Sequence, residues 1–229
     1  MEKVNFGVIG VGNMGSAHVS NFSVLNNCEL KAVCDINPEA FKRIDESTRK
    51  SVQLFTDAEK FFQEADIDAV IIAVPHYSHP DLAIRAMEYG KHIIVEKPIA
   101  VHKAEAERML AAAKKYPGLK KSAMFNQRTI PAHRKIKQMI DSGELGKIMR
   151  VNWIITDWFR SQCYYDSGDW RASWRGEGGQ ERVGVGEGKN FDADVSAFSR
   201  EKTERRHRSF SPFPGSHLPL SGTARIVQV

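Results

Sequence analysis

The apolar and polar positions of this chain alternate between short, dense apolar runs and longer segments in which apolar residues recur at helical spacing. Val4 to Ile9 is an apolar run that leads directly into a glycine-rich turn, Gly10 to Gly15, and then a helix-like segment. A second run, Leu30 to Cys34, is closed by Asp35. Pro38 to Ser47 reads as a helix with Pro in its first turn. Val52 to Phe55 reads as a short strand, and Thr56 or Asp57 caps a helix over Ala58 to Glu64. Ala69 to Val74 is apolar without interruption, as expected of a parallel strand covered on both faces. A helix from about Pro80 to Tyr89 stops at Gly90, and His92 to Val95 is the next strand. Lys103 to Lys115 is a long helix broken by Pro117 and Gly118, and Ser122 to Phe125 is a sixth strand. Strands alternating with helices in this way predict an α/β protein built on a doubly wound parallel sheet.

The pattern changes after Pro131. A helix over about Ala132 to Ser142 ends at Gly143, and Ile148 to Ile155 reads as the opening strand of a second sheet. An aromatic-rich stretch follows, with Trp158, Phe159, Tyr164, Tyr165, Trp170 and Trp174. These rings are read as core and interface residues, with a substrate wall as the sharper alternative. Between 180 and 229 only 15 of 50 residues are hydrophobic and no amphipathic period is sustained. Such a stretch cannot bury enough apolar surface to offset its ordering, and it reads as a disordered tail. The expected organisation is 1–128 as a nucleotide-binding domain, 129–179 as the beginning of a substrate and oligomerisation domain, and 180–229 as the atypical tail.

In an open parallel sheet, ligands bind beyond the carboxyl ends of the strands. That rule nominates Gly10 to Gly15 (with Gly12, Asn13 and Met14), Asp35, Val74 to His79, Glu96 to Pro98, and Asn126 to Arg128. A strand, a glycine turn, a helix, a second strand and an acid 20 residues past Gly15 are together what binding a dinucleotide requires. Gly10 allows the tight turn, Gly12 lets the backbone approach the pyrophosphate, and Gly15 lets the helix pack on the strand. The pyrophosphate would sit on free N–H groups at the helix N-terminus. Asp35 can accept both ribose hydroxyls of NAD but repels a 2′-phosphate, and Ile36, Asn37 and Pro38 offer no cation to hold one. NAD is therefore expected rather than NADP.

Composition changes little. With 229 residues, 41% hydrophobic and 27% charged, the chain has the make-up of a soluble globular protein. No apolar run approaches the roughly 20 residues that span a bilayer. No secretory signal precedes the first strand, so a cytoplasmic location is expected. Cys28, Cys34 and Cys163 are too few and too irregular for a disulfide framework or a metal site. The net charge of +5 partly reflects the tail, where eight Arg and Lys face six Asp and Glu. No nucleic-acid motif accompanies it, and neither nucleic acid nor membrane is an expected partner.

With the glycine turn, Asp35 and Glu96-Lys97-Pro98 on the page, the sequence over about 3–179 resembles the Gfo/Idh/MocA family of NAD(P)-dependent oxidoreductases. The specific segments are AVPHYSHPDLAIRAMEYGKHIIVEKP, which ends in the EKP motif, and DWRASWRGEGG. The resemblance implies a Rossmann domain followed by an α/β domain for substrate recognition and homo-oligomer contacts. It also implies sugar, inositol or related polyol substrates. Lys97 would be the catalytic lysine at the reacting oxygen, where an ammonium stabilises developing negative charge. Glu96 would hold the cofactor ribose or Lys97. Val74, Pro75, His76 and His79 would line the nicotinamide side, with helix capping or loop packing as the other reading of the histidines. Asn126 and Arg128 would face the site, Arg128 alternatively as an ion-pair partner; Trp170 and Arg171 would reach substrate. Family members follow their glycine-rich turn with an apolar strand and an Asp or Asn four residues before a proton-transferring His. Here Gln180 to Gly188 follows Gly179, and no Asp-x-x-x-His appears. His207 and His217 lack the spacing. The change at Gly179 is that of a shifted or mis-spliced reading frame, or of a divergent tail. The second sheet would then be incomplete, and the chain would be either a dehydrogenase framework or an inactive NAD-binding remnant.

Overall fold

The computed structural model describes residues 3–152, 161–168, 170, 171 and 173. The expected tail at 180–229 lies outside these residues, as do Trp158, Phe159 and Trp174. The described chain falls into two compact units, one of 3–136 with 161–168, 170, 171 and 173, the other of 137–152.

The first unit is organised on a six-stranded, wholly parallel sheet of β1 (Val4–Ile9), β2 (Cys28–Cys34), β3 (Gln53–Phe55), β4 (Ala69–Ile72), β5 (His92–Glu96) and β6 (Lys121–Met124). Their order is β3-β2-β1-β4-β5-β6. The chain therefore moves outward from β1 to one edge, returns to the other side of β1 at β4, and continues to the opposite edge. Successive strand residues point to opposite faces, and both faces are covered. One core joins Ile9, Cys34, Val70, Ile72 and Val95 to Phe61 and Phe62 of α3 (Ala58–Glu64), Met87 of α4 (His79–Glu88) and Met109 of α5 (Lys103–Lys115). The other joins Val8, Val33 and Ile71 to Val19 of α1 (Asn13–Asn21) and to Phe41 and Ile44. The expected doubly wound sheet is the one observed.

Several ends follow local chemistry. The Asp57 carboxylate accepts from Lys60 N at 2.8 Å and caps α3, settling the choice between Thr56 and Asp57. Gly90, at φ +72°, ends α4. The continuous helix expected over Pro38 to Ser47 is not formed. A 3-10 segment runs Pro38–Arg43, Ile44 turns extended and buries its side chain, and α2 starts anew at Glu46–Ser51. The physical reason is Asp45, whose carboxylate accepts from Thr48 N at 2.9 Å, Thr48 Oγ1 at 2.7 Å and Ser47 Oγ. A residue so committed to capping starts a helix and interrupts one that would run through it.

α6 (Pro131–Asp141) links the two units, and in the second it ends in a turn through Gly143 and Gly146, both at positive φ. The strand expected over Ile148 to Ile155 is not formed at 148–151, and Asn152 is a lone bridge residue. Met149 and Val151 on one side and Ile148 on the other are all exposed, so neither face of this segment is covered as a sheet strand's would be. The rest of that expected strand lies outside the described residues. A short helix not anticipated from the sequence, α7 (Gln162–Asp166), belongs to the first unit.

Candidate functional site

The site is assembled at the carboxyl rim of the sheet, where β1, β2, β4, β5 and β6 all end. Gly10 leaves β1 at φ +87°, with its N–H donating to Cys34 O at 2.8 Å. A Cβ at Gly10 would stand 2.5 Å from Ala73 O, and one at Gly15 would stand 1.8 Å from Gly10 O. Both positions are closed by backbone. Gly12 differs, because a Cβ there meets no atom within 4 Å. Nothing in the chain itself requires glycine at that place, and the space is the one a ligand approaching the turn would take. Gly12 is also the N-cap of α1, and no side chain caps the helix. The amides of Asn13, Met14 and Gly15 thus begin a helix dipole with no carboxylate or hydroxyl of the described residues upon them. These features fit a pyrophosphate on Gly12 and the first turn of α1.

Asp35 follows β2 and closes the other side of the turn. Its Oδ2 accepts from Val11 N at 2.6 Å and its Oδ1 from Asn37 N at 2.9 Å. The carboxylate is held in place by two backbone donors and stays partly exposed, with lone pairs left for ribose hydroxyls. Beneath it, burial and then the charges of Asp35 and Asp57 push the Cys34 thiol up to about 12, so this cysteine is an inert core residue. Arg43 was not anticipated. Its Nη1 donates to Asn13 Oδ1 at 2.9 Å, which brings a guanidinium to the first residue of α1.

The β5 end brings together Glu96, Lys97 and Pro98, with the Lys97–Pro98 peptide cis. Lys97 is exposed, and among the described residues its ammonium has no hydrogen-bond or ion-pair partner. Glu96 is almost wholly buried. Its Oε1 lies 2.7 Å from His18 Nε2, and its Oε2 accepts from Lys97 N at 3.1 Å. Burial by itself would raise this carboxyl. The bonds from the His18 ring and the Lys97 N–H, with the charges beside it, outweigh burial and leave it below its ordinary value. Of the two roles expected for Glu96, holding Lys97 is the observed one. The contact to residue 97 is to its backbone N–H, and each carboxylate oxygen has one partner of the chain. His18 was missed by the sequence reading; the available signal was an ionisable group three residues past Gly15 on the helix that leaves the turn.

His79 also departs from expectation. Its ring has no exposed surface, with Nδ1 2.7 Å from Pro98 O and Nε2 2.9 Å from Val74 O. It cannot line a channel. It ties the end of β4 to the turn after Lys97, which is the loop-packing reading. Burial pushes the ring below its ordinary value against the two carbonyls and the charge of Glu96. A neutral imidazole has one N–H to donate, so one of the two carbonyls is always left unserved by it.

Val74, Pro75 and His76 follow β4 at the rim. The Trp170 ring stands edge-on to His76 with centroids 4.6 Å apart. The Arg171 guanidinium covers Trp170 at 4.6 Å and Tyr164 at 4.2 Å. Trp170 is thereby brought to the loop after β4 from nearly a hundred residues further along the chain, with Arg171 beside it. Asn126 starts a 3-10 turn after β6, and Arg128 lies over the Phe125 ring at 4.7 Å in a cation–π contact, with no ion pair among the described residues. Among the described residues no group of three or more His, Cys, Asp or Glu is placed to hold a metal. No helix among them is long and apolar enough to cross a membrane.

A parallel sheet with order 3-2-1-4-5-6, an open glycine turn at an uncapped helix and an acid after β2 define a dinucleotide-binding protein of the Rossmann class. The chain belongs to the Gfo/Idh/MocA oxidoreductase family with an NAD-binding Rossmann fold, whose model matches residues 4–120. It is 34% identical over 145 residues to the uncharacterized oxidoreductase YrbE of Bacillus subtilis, covering 63% of this chain and 42% of that protein. A glycosyl hydrolase family 109 protein of Shewanella pealeana is 30% identical over 191 residues, covering 76% of this chain and 40% of the relative. The crystal structure of scyllo-inositol dehydrogenase from Lactobacillus casei, with NAD(H) and scyllo-inositol bound, superposes with a TM-score of 0.60 at 28% identity. That match covers 64% of this chain and 43% of the other. The chain thus spans well under half the length of these proteins.

Proposed function

We propose that this chain carries the cofactor-binding and lysine-bearing half of an NAD-dependent dehydrogenase acting on a secondary hydroxyl of a sugar, inositol or related polyol. The observation that supports it best is the exposed Lys97 ammonium, which has no hydrogen-bond or ion-pair partner among the described residues, on the strand end whose neighbours form the NAD cradle. Bound NAD supplies the hydride acceptor. Gly12 and the first amides of α1 receive its pyrophosphate, and Asp35 receives the adenosine ribose. Lys97 would donate a hydrogen bond to the reacting oxygen and stabilise the negative charge that builds there as the hydroxyl proton departs to water, while the hydride passes from carbon to NAD. Trp170 and Arg171, with Arg128 and Asn126, supply ring and cationic surface for a hydroxyl-rich substrate. The inositol found in the Lactobacillus casei enzyme supports that substrate class.

A second reading rests on a specific departure. The sequence after Gly179 has no Asp-x-x-x-His, so the chain contributes no second proton carrier of the kind its resemblance implies. On this reading the protein binds NAD and turns nothing over.

NADH fluorescence, followed while NAD+ is incubated with a panel of inositols and sugars, separates the two. Turnover of any polyol, lost by about 10²-fold or more in Lys97→Met with NADH affinity kept, supports the dehydrogenase. NADH binding with no turnover across the panel selects the second reading.

A further inference from the structure

The contact between His18 and Glu96 joins two parts of the site that the sheet keeps apart. β1, from which the glycine turn and α1 arise, does not pair with β5, which delivers Lys97; β4 lies between them. α1 spans this gap with one side chain. His18 Nε2 reaches Glu96 Oε1 at 2.7 Å, and the two side chains are only 11% and 8% exposed. The other oxygen of the same carboxylate accepts the Lys97 N–H at 3.1 Å. A single buried carboxylate is therefore held by the cofactor helix on one side and holds the lysine's backbone on the other.

Packing alone does not account for this choice. Two polar side chains taken out of water cost desolvation that a pair of aliphatic residues would avoid. What the polar pair adds is direction, since its hydrogen bonds fix one oxygen toward α1 and the other toward residue 97. Both ends of the chain of contacts are functional. The first turn of α1 presents its uncapped amides to the pyrophosphate, and residue 97 carries the exposed ammonium.

We propose that His18 and Glu96 are positioning residues that couple occupancy of the glycine turn to the placement of Lys97. A pyrophosphate drawn onto the N-terminus of α1 settles that helix, His18 settles with it, and Glu96 transmits the restraint to the Lys97 amide. The coupling depends on the reading of Lys97 given above only for its catalytic consequence.

The test is hydrogen exchange at the Lys97 amide in the full chain, with and without saturating NADH, with NADH binding followed separately by fluorescence. In the wild-type protein NADH slows this exchange. In His18→Leu, NADH still binds, exchange at Lys97 is about tenfold faster, and the NADH-induced slowing is lost. His18→Gln, which keeps an N–H donor toward the carboxylate, recovers the slowing. A folded His18→Leu protein with wild-type exchange and a wild-type response to NADH overturns the proposal. If His18→Leu does not fold by circular dichroism, His18→Met, which likewise offers no N–H to the carboxylate, decides on the same two readings. The outcome is separable from the proposed activity, because no turnover is needed. Polyol oxidation with an unaltered Lys97 amide in His18→Leu removes the coupling and leaves the dehydrogenase. A coupled amide without turnover does the reverse.

Discussion

A methyl group on Gly15 would lie 1.8 Å from the carbonyl oxygen of Gly10, whereas one on Gly12, three residues earlier, would touch nothing. The two glycines are thus kept for different reasons, and the difference is measurable. Gly15→Ala forces backbone against backbone and is expected to lower stability by about 3 kcal/mol in urea unfolding. Gly12→Ala is expected to change unfolding by less than about 1 kcal/mol. The same substitution should weaken NADH binding by about tenfold or more, read by fluorescence titration.

Asp35 should govern the choice between the two nicotinamide cofactors. Asp35→Asn keeps an oxygen for Val11 N or Asn37 N but removes the charge that opposes a 2′-phosphate. The ratio of NADPH to NADH dissociation constants is expected to fall by at least about tenfold. Parallel titrations of both reduced cofactors measure it.

Arg43 should add affinity without adding specificity. Its guanidinium bonds Asn13 Oδ1 at the start of α1, where a pyrophosphate is expected. Arg43→Ala should weaken NADH and NADPH alike, by about threefold to tenfold at low salt, with the deficit shrinking near about 0.5 M salt.

Acid should destabilise the fold in two stages. The His79 pKa is depressed in the folded state, so its contribution is full above its unfolded value of about 6.5 and is lost as pH falls toward the folded value. Glu96 is depressed as well, and its contribution is present above its ordinary 4.5 and lost as pH falls through the folded value. Both losses run the same way. Thermal unfolding of His79→Gln should lose the upper stage and that of Glu96→Gln the lower one.

The parts of this protein legible in its sequence are those in which cause and effect lie a few residues apart. Lys103 to Lys115 has the bounds read from composition and its flanking breaker, and the glycine turn with Asp35 declared itself by spacing. Asp45 was equally local, with Ser47 and Thr48 beside it, but the apolar period running through Phe41 and Ile44 masked the cap. The clasp of His18 on Glu96 crosses 78 residues, and no periodicity reports such a distance. His79 was legible as a rim residue and illegible as a buried tie, because only the fold shows that the carbonyls of Val74 and Pro98 converge on one ring.

The strand order bears on how the protein is made. β1 precedes the other five strands of this sheet along the chain, yet it lies inside the sheet, between β2 and β4. A nascent chain can lay β2 against β1 as soon as Cys34 has left the ribosome, but the other edge of β1 stays bare until Ala69–Ile72 follows. The wall that confines Gly10 is Ala73, so the turn meant for the cofactor is open on one side through more than thirty residues of elongation. The glycine turn of the cradle is thus translated well before the strand that encloses it.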